Sequence, residues 1–182
     1  ATAIDSTGGN SFPGINDTTT LNFTVADVAA PTLSSSTPAD DATGVAVSAN
    51  IVLTFNENVV AGSGNITLKK SSDNSTVQAM PIDGGNITIS GNTVTINPTA
   101  NLASSEQYYL QVAGTALDDA SGNSYAGISD TTSLSFTAAD IVAPTLSSSS
   151  PADNATGVAS NSNIPLTFDE NIAVGTGNII LF

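Results

Sequence analysis

A sixteen-residue phrase occurs twice in this chain. Residues 30–45 read APTLSSSTPADDATGV, and residues 143–158 read APTLSSSSPADNATGV, 113 positions later. When the whole sequence is shifted by 113 positions, residues 1–69 align with residues 114–182 without a gap, and 43 of the 69 pairs are identical. Self-similarity at a fixed period is typical of proteins built from repeated structural units. The sequence therefore predicts a tandem repeat of 113 residues.

The period divides the chain into one complete unit and parts of two others. Residues 28–140 cover one full period, which is long enough for a domain with its own hydrophobic core. Residues 1–27 correspond to the C-terminal part of a preceding repeat, and residues 141–182 correspond to the N-terminal part of the following repeat. Residues 70–113 occur once. We therefore expect 28–140 to be the unit that folds autonomously.

The charge and composition exclude several classes of function. The chain has 16 acidic and 2 basic residues, a formal net charge of −14, and neither cysteine nor histidine. Nucleic acids and anionic membranes both require basic surface, and no apolar run approaches the ~20 residues of a spanning helix. Without histidine or cysteine, the usual general base, thiol nucleophile and zinc ligands are missing. We expect no enzyme, no nucleic-acid partner and no membrane insertion in this segment.

The hydrophobic pattern predicts an all-β chain. Apolar residues alternate with polar ones over short segments separated by turn signals, and residues 50–55 place Ile51, Leu53 and Phe55 on one face. Further predicted strands are 65–70, 77–82, 108–112 and 134–136, the second of them at a sheet edge because of its proline. Seven or so short strands in ~100 residues favour an Ig-like antiparallel β-sandwich.

Local signals refine this arrangement. Gly91-Asn92 predicts a two-residue hairpin turn that sets Ile89 opposite Val94 and Ile87 opposite Ile96. Residues 101–107 could form one short turn of helix.

Two further signals concern the first strand and a tyrosine. The segment from Pro38 to Gly44 reads as a kink that lets the first strand leave one sheet and continue along the other. Tyr108 lies where an Ig-type sandwich places its tyrosine corner.

The linkers between units are short. Seven residues, TVADVAA, separate Phe23 from Pro31, and their counterparts are TAADIVA. They contain neither glycine nor serine, unlike a flexible tether. We expect a nearly rigid connection in which Val28 and Ile141 pack between units.

Several of these motifs together resemble bacterial Ig-like domains. The motifs are the repeated phrase at 30–45, LTFNENV at 53–59, YYLQV at 108–112 and ALDDASGN at 116–123. The resemblance covers the complete unit and both partial ones. It implies a β-sandwich strung in long arrays, as in S-layer proteins and very large surface adhesins, often with calcium ions between or within modules. It also implies no catalytic activity and a location on the bacterial cell surface.

The acidic residues suggest where such calcium would bind. In an Ig-type strand order, the linker into the first strand, the loop after the second strand and the loop between the last two strands lie at one end. The candidate metal ligands at this and the following junction are Asp27, Glu57, Asp118, Asp119, Asp140 and Glu170, with Asn58 and Asn123 as further oxygen donors. The alternative is that these acids are ordinary solvated charges.

The repeat also ranks two of these acids. Because the preceding copy has Asp5-Ser6 in place of Asp118-Asp119, we expect Asp118 to be the more dependable ligand of the two.

The leading functional hypothesis is structural. We expect a stalk or shaft segment of a long extracellular adhesin or surface filament, with repeats stiffened end to end by Ca²⁺. Its partners would be neighbouring repeats of the same chain and other copies of the protein in a filament. The alternative hypothesis is a carbohydrate- or protein-binding Ig-like adhesion module.

Overall fold

The computed structural model describes residue 4 and residues 6–180. Asp5 therefore lies outside the described residues, as do residues 1–3, 181 and 182. The described part of the chain contains thirteen β-strands joined by turns and loops. It has no helix with the length and apolar character needed to cross a membrane. The all-β prediction is confirmed.

Two sheets form the body of the domain. In spatial order, the four-stranded sheet consists of β1 (Leu33–Thr37), β3 (Ile51–Phe55), β8 (Thr93–Ile96) and β7 (Ile87–Ser90). The five-stranded sheet consists of β2 (Ala42–Val45), β11 (Ser135–Ala138), β9 (Gln107–Val112), β5 (Asn65–Lys70) and β6 (Thr76–Pro81). Two small sheets pair β4 (Val60–Ala61) with β10 (Leu117–Asp118), and β12 (Leu146–Ser149) with β13 (Leu166–Phe168).

The two large sheets enclose one hydrophobic core. Alternate residues of each strand point inward, so that Ile51, Leu53 and Phe55 are buried on β3 and Ile66 and Leu68 are buried on β5. The strand at 77–82 lies at the edge of its sheet, as its proline predicts. Every buried member of the core lies between residues 51 and 138, within the predicted unit.

The predicted hairpin is confirmed in its register. Ile89 lies opposite Val94, and Ile87 lies opposite Ile96. Gly91 has a φ of 59°, which is the left-handed conformation that a tight two-residue turn requires and that glycine adopts without a Cβ penalty.

The kink after β1 is also confirmed. β1 pairs with β3 in one sheet, while β2 pairs with β11 in the other. Ser135 of β11 anchors the connection, since its backbone N–H donates to Asp40 Oδ1 and its hydroxyl donates to Asp41 Oδ1, both at 2.9 Å. The β2–β11 pair is parallel, so the prediction of a purely antiparallel sandwich is wrong at this edge. The kink carries the chain from the four-stranded sheet to the five-stranded sheet. β2 therefore runs beside β11 in the same direction.

The predicted helical turn at 101–107 is wrong. Ser105 has a φ of 59°, which is outside the right-handed helical region. The backbone N–H of Ala103 donates to the hydroxyl of Tyr108 at 2.8 Å. This is the tyrosine corner that the sequence predicts. The bond engages the backbone N–H of Ala103, which lies within the segment predicted to be helical.

Polar contacts hold the linker that follows β11. Val28 and Ile141 are 84% and 66% exposed, so the expected packing of these side chains between units is not seen. Instead, the Ser104 hydroxyl donates to Asp140 Oδ1 at 2.9 Å and accepts the backbone N–H of Ile141 at 3.0 Å. The start of the linker is therefore bonded to the same loop that carries the tyrosine corner.

A turn at Asp130 precedes the last core strand. Its carboxylate accepts the backbone N–H groups of Thr132 and Ser133 and also both hydroxyls. The Ser133 hydroxyl is the main reason that the pKa of Asp130 lies well below its usual range. Asp17, 113 residues earlier, makes the same bonds to Thr19 and Thr20, which lower its pKa to about 2.

We predict that replacing Tyr108 by Phe destabilises the domain by about 1 kcal/mol, the usual net contribution of one hydrogen bond. The ring packs against Phe136 with centroids 6.0 Å apart, and that contact remains in the variant. Urea unfolding monitored by circular dichroism measures the change, and an unchanged midpoint would show that the tyrosine corner contributes nothing to stability.

We predict that Asp130→Ala lowers the stability at neutral pH and removes part of its acid sensitivity. A carboxyl group whose pKa is lowered by folding stabilises the native state above its unfolded pKa, and this contribution is lost as pH falls through the folded value. The unfolding midpoints of the two proteins should therefore converge as the pH falls below the ordinary value of 3.8. A difference that stays constant down to the lowest pH would contradict this prediction.

Candidate functional site

Three acidic side chains meet at one end of the sandwich. Asp27 precedes β1, Glu57 follows β3 and Asp119 follows β10. One carboxylate oxygen from each lies within 4.8 Å of the other two, and no other such group of three is found among residues 4 and 6–180. Segments that are far apart in sequence thus converge as the Ig-type strand order predicts.

Asp119 is the most ordered member of this group. Its side chain is 4% exposed. Oδ1 accepts the backbone N–H groups of Ser121 and Asn123, both at 2.8 Å, and Oδ2 accepts the side-chain amide of Asn123 at 2.7 Å. The Asn123 amide is the largest cause of a lowered pKa at Asp119, against the opposing effect of burial. The carboxylate is therefore kept ionised by the loop that holds it.

The same loop contacts the linker. The Asn123 amide lies 3.3 Å from the carbonyl oxygen of Asp27 as a hydrogen-bond donor, and the Asp27 carboxylate accepts the backbone N–H of Ala29 at 3.0 Å. Asn123 thus lies beside the acidic group, but it presents its N–H group rather than the expected oxygen ligand. Asn58, the other expected oxygen donor, has its amide oxygen next to Gly91 of the hairpin turn.

Asp118 does not belong to the group of three. Its Oδ1 accepts the Ser124 hydroxyl at 2.5 Å, and its other oxygen lies against Gly62, where an added Cβ would be only 2.7 Å away. Neighbouring residues in an extended segment point to opposite faces, so only one of Asp118 and Asp119 can face Glu57. Asp119, and not the Asp118 that the sequence favoured, lies in the group with Asp27 and Glu57.

Asp140 and Glu170 meet in the same way at the next junction, 113 residues on from Asp27 and Glu57. Their carboxyl groups lie close enough to shift each other's pKa. Burial, and then the charges of Asp140 and Asp169, raise the pKa of Glu170, while the backbone N–H of Val142, followed by the Ser104 hydroxyl, lowers the pKa of Asp140. Glu170 Oε1 is buried without a hydrogen-bond partner in the described part of the chain. The position corresponding to Asp119 lies beyond residue 182.

The ligand chemistry of the Asp27–Glu57–Asp119 group fits a hard cation. Ca²⁺ takes six to eight oxygen ligands from carboxylates, carbonyls, amides and water, and the group offers three carboxylates with the Asp27 carbonyl nearby. Zinc sites are built mainly from cysteine and histidine, which the sequence lacks. Glu57 is half-buried and Asp27 is exposed, so the site is open to solvent on one side.

Sequence reasoning missed one residue that organises the second junction. Ser104 bonds the Asp140 carboxylate and the Ile141 backbone together. A serine in a Ser/Ala-rich loop carries no signal of such a contact, because the partner is 36 residues away. The ordering of Asp119 did have a signal, since Asp-x-x-Gly-Asn is a sequence that favours side chain–backbone bonds.

Comparisons with known proteins give one family and a few distant structural relatives. The sequence model described as "Bacterial Ig-like domain" matches residues 27–138 and again residues 140–182. CopC from Methylosinus trichosporium OB3b is similar in structure, with a TM-score of 0.43 and 14% identity over 62% of this chain and 97% of CopC. The S-layer protein rSbsC is also similar, with a TM-score of 0.40 and 17% identity over 65% of this chain and 16% of that protein.

A search of curated protein sequences gives no match. The family match is independent of these distant structural relatives, and its two segments together cover most of the chain. With its all-β fold, its two-sheet core and its tyrosine corner, this chain belongs to the bacterial Ig-like domain family.

Proposed function

We propose that this chain is a segment of an extracellular bacterial stalk or shaft, built from tandem 113-residue units whose junctions are stiffened by calcium. The observation that carries the proposal is the convergence of Asp27 from the linker with Glu57 and Asp119 from the domain. A cation held by all three would tie the linker to the unit that follows it. The role is mechanical rather than catalytic.

Repeated local geometry supports the tandem arrangement. β12 and β13 pair with the register of β1 and β3 shifted by 113 residues, including the irregularity that follows the first pair. Asn154 has a φ of 60° where Asp41 has 57°. The backbone N–H of Thr145 donates to Asp169 Oδ1 at 2.7 Å, as that of Thr32 does to Asn56 Oδ1.

The exposed apolar residues of the flanking segments support it as well. Phe23 is 84% exposed, whereas its counterpart Phe136 is 1% exposed in the core of the complete unit. Leu21 is exposed where Leu134 is buried, and Leu166 is exposed where Leu53 is buried. We infer that these side chains join cores of neighbouring units, whose remaining strands would cover them.

Contacts around Asp140 support a stiff junction. Asp140 accepts a hydrogen bond from Ser104 of the complete unit, and its charge, after burial, raises the pKa of Glu170 in the segment that follows. One side chain thus interacts with both neighbours. Calcium at such a junction would offset the repulsion between the two carboxylates and draw them to a common centre.

We predict that calcium raises the melting temperature of the full chain through the group around Asp119. A ligand that binds only the folded state stabilises it by about 2.7 kcal/mol at a hundredfold excess over its dissociation constant. This corresponds to a rise on the order of 10 °C for a domain of this size. Scanning calorimetry in calcium and in excess chelator measures the rise, and NMR relaxation of the Val28 and Ala29 amides should show a more ordered linker with calcium.

Asp118→Asn is the matched control for this experiment, because it removes a neighbouring charge that lies outside the group of three. Glu57→Gln and Asp119→Asn should abolish most of the calcium-dependent rise, whereas Asp118→Asn should retain it even if its own stability differs. Equal melting temperatures with calcium and with chelator in the unmodified chain would reduce these acids to ordinary solvated charges.

We predict that residues 28–140 alone unfold in a single cooperative transition. All buried core residues lie inside this range, and small domains with one core usually behave as two-state systems. Coincident thermal transitions by circular dichroism and tyrosine fluorescence are the expected result. A broad, non-cooperative transition would mean that the unit depends on strands from its neighbours.

A further inference from the structure

A polar cavity of about 360 Å³ lies on the outer face of the five-stranded sheet, away from the acidic junction. Its floor is formed by β9 and β11, and its walls come from the loop between β5 and β6, the Asp130 turn and the kink before β2. The lining residues that matter below are Asp41, Asn74, Gln107, Tyr109, Thr131 and Ser135. Its size falls within the range of ordinary ligand sites.

Tyr109 is an exception to the alternation of β9. Tyr108, Leu110 and Val112 point into the core, so Tyr109 points to the outer face, where a strand residue is normally exposed. It is nevertheless 2% exposed while standing outside the core cluster. Its hydroxyl donates to Asn74 Oδ1 at 3.1 Å. The loops therefore build a second buried environment on the side of the sheet that faces away from the core.

Several polar groups of the cavity lie on solvent-exposed residues and have no protein hydrogen-bond partner in the described part of the chain, so they are open to a ligand. They are the side-chain amide of Gln107, the amide nitrogen of Asn74, the second carboxylate oxygen of Asp41 and the hydroxyl of Thr131. The neighbouring groups, by contrast, are fixed, since Ser135 is bonded to Asp41 and Tyr109 to Asn74. A rigid frame thus presents both donors and acceptors to the cavity.

The charges around the cavity restrict what it can hold. Asp41 is its one carboxylate, which is too few for a calcium site. The whole chain carries a net charge of −14, which disfavours an anion. The two basic residues are already engaged, because Lys69 lies 5.8 Å from the centre of the Tyr109 ring and Lys70 lies 3.6 Å from Glu106. These charges favour a neutral ligand, and the donors and acceptors of the cavity suit one with several hydroxyl groups.

We propose that this cavity binds a neutral sugar residue of a glycan. Amide and carboxylate groups can each bond neighbouring hydroxyls of a sugar. In a stalk, such a site would give each complete unit a weak carbohydrate contact of its own. The proposal does not depend on calcium or on the junction.

The test uses the full chain, labelled with ¹⁵N, titrated with glucose, galactose, mannose and N-acetylglucosamine at millimolar concentrations. Glucuronate, an anionic sugar of similar size, serves as the ligand control. We expect at least one neutral sugar to shift the side-chain amide signals of Asn74 and Gln107 in a saturable way, and glucuronate to leave them in place. Gln107→Ala should weaken the binding about tenfold, as expected for the loss of one hydrogen bond.

Gln111→Ala is the matched protein control, because Gln111 lies on the same strand and the same face but outside the cavity. It should leave the sugar affinity unchanged. Three results would overturn the proposal: no saturable shift with any neutral sugar, a shift with glucuronate alone, or equal losses of affinity in Gln107→Ala and Gln111→Ala.

Discussion

The passage of the first strand from one sheet to the other is the constraint on which the rest of the fold depends. Ser135 holds the kink through Asp40 and Asp41, and this lets β1 close one sheet while β2 closes the other. The segment from β1 to β2 thus supplies an edge strand to each sheet. This limits the number of unpaired backbone groups at the sheet edges. It also places Asp41 over the outer face beside Tyr109. The core, the parallel edge and the polar cavity all follow from that anchoring.

Much of this fold can be predicted because it rests on local rules. The period of two identifies β3, β5, β8 and β9, and Gly91 fixes the hairpin register. The parallel pairing of β2 with β11 could not be predicted, because the partners are more than 90 residues apart and their pairing depends on where the kink aims the chain. The burial of Tyr109 was hidden for a related reason. Tyr109 is buried by loops that cover the outer face of the five-stranded sheet. The alternation of apolar and polar residues within a strand carries no information about such loops.

The candidate site divides in the same way. Topology is enough to bring Asp27 and Glu57 to one end of the sandwich. The choice between Asp118 and Asp119 needs the phase of a two-residue strand, which the pairing of β10 with β4 decides. Comparison of the two copies favoured Asp118, which lies outside the group of three because it packs on Gly62 and bonds Ser124. The sequence alone does not distinguish an acidic residue with a local structural role from one that could bind a ligand.

The Asp17 turn and the β12–β13 pair both form outside the hydrophobic core, whose buried members lie between residues 51 and 138. Both are closed by contacts within about 25 residues, so the entropy lost in forming them is small compared with that of joining equivalent positions 113 residues apart. Repeated units of similar sequence can exchange strands while they fold, which is a characteristic failure of repeat proteins. In the proposed array, turns that close locally would pair each strand within its own unit rather than with the next copy. The turns would thus protect the repeated sequence against misfolding.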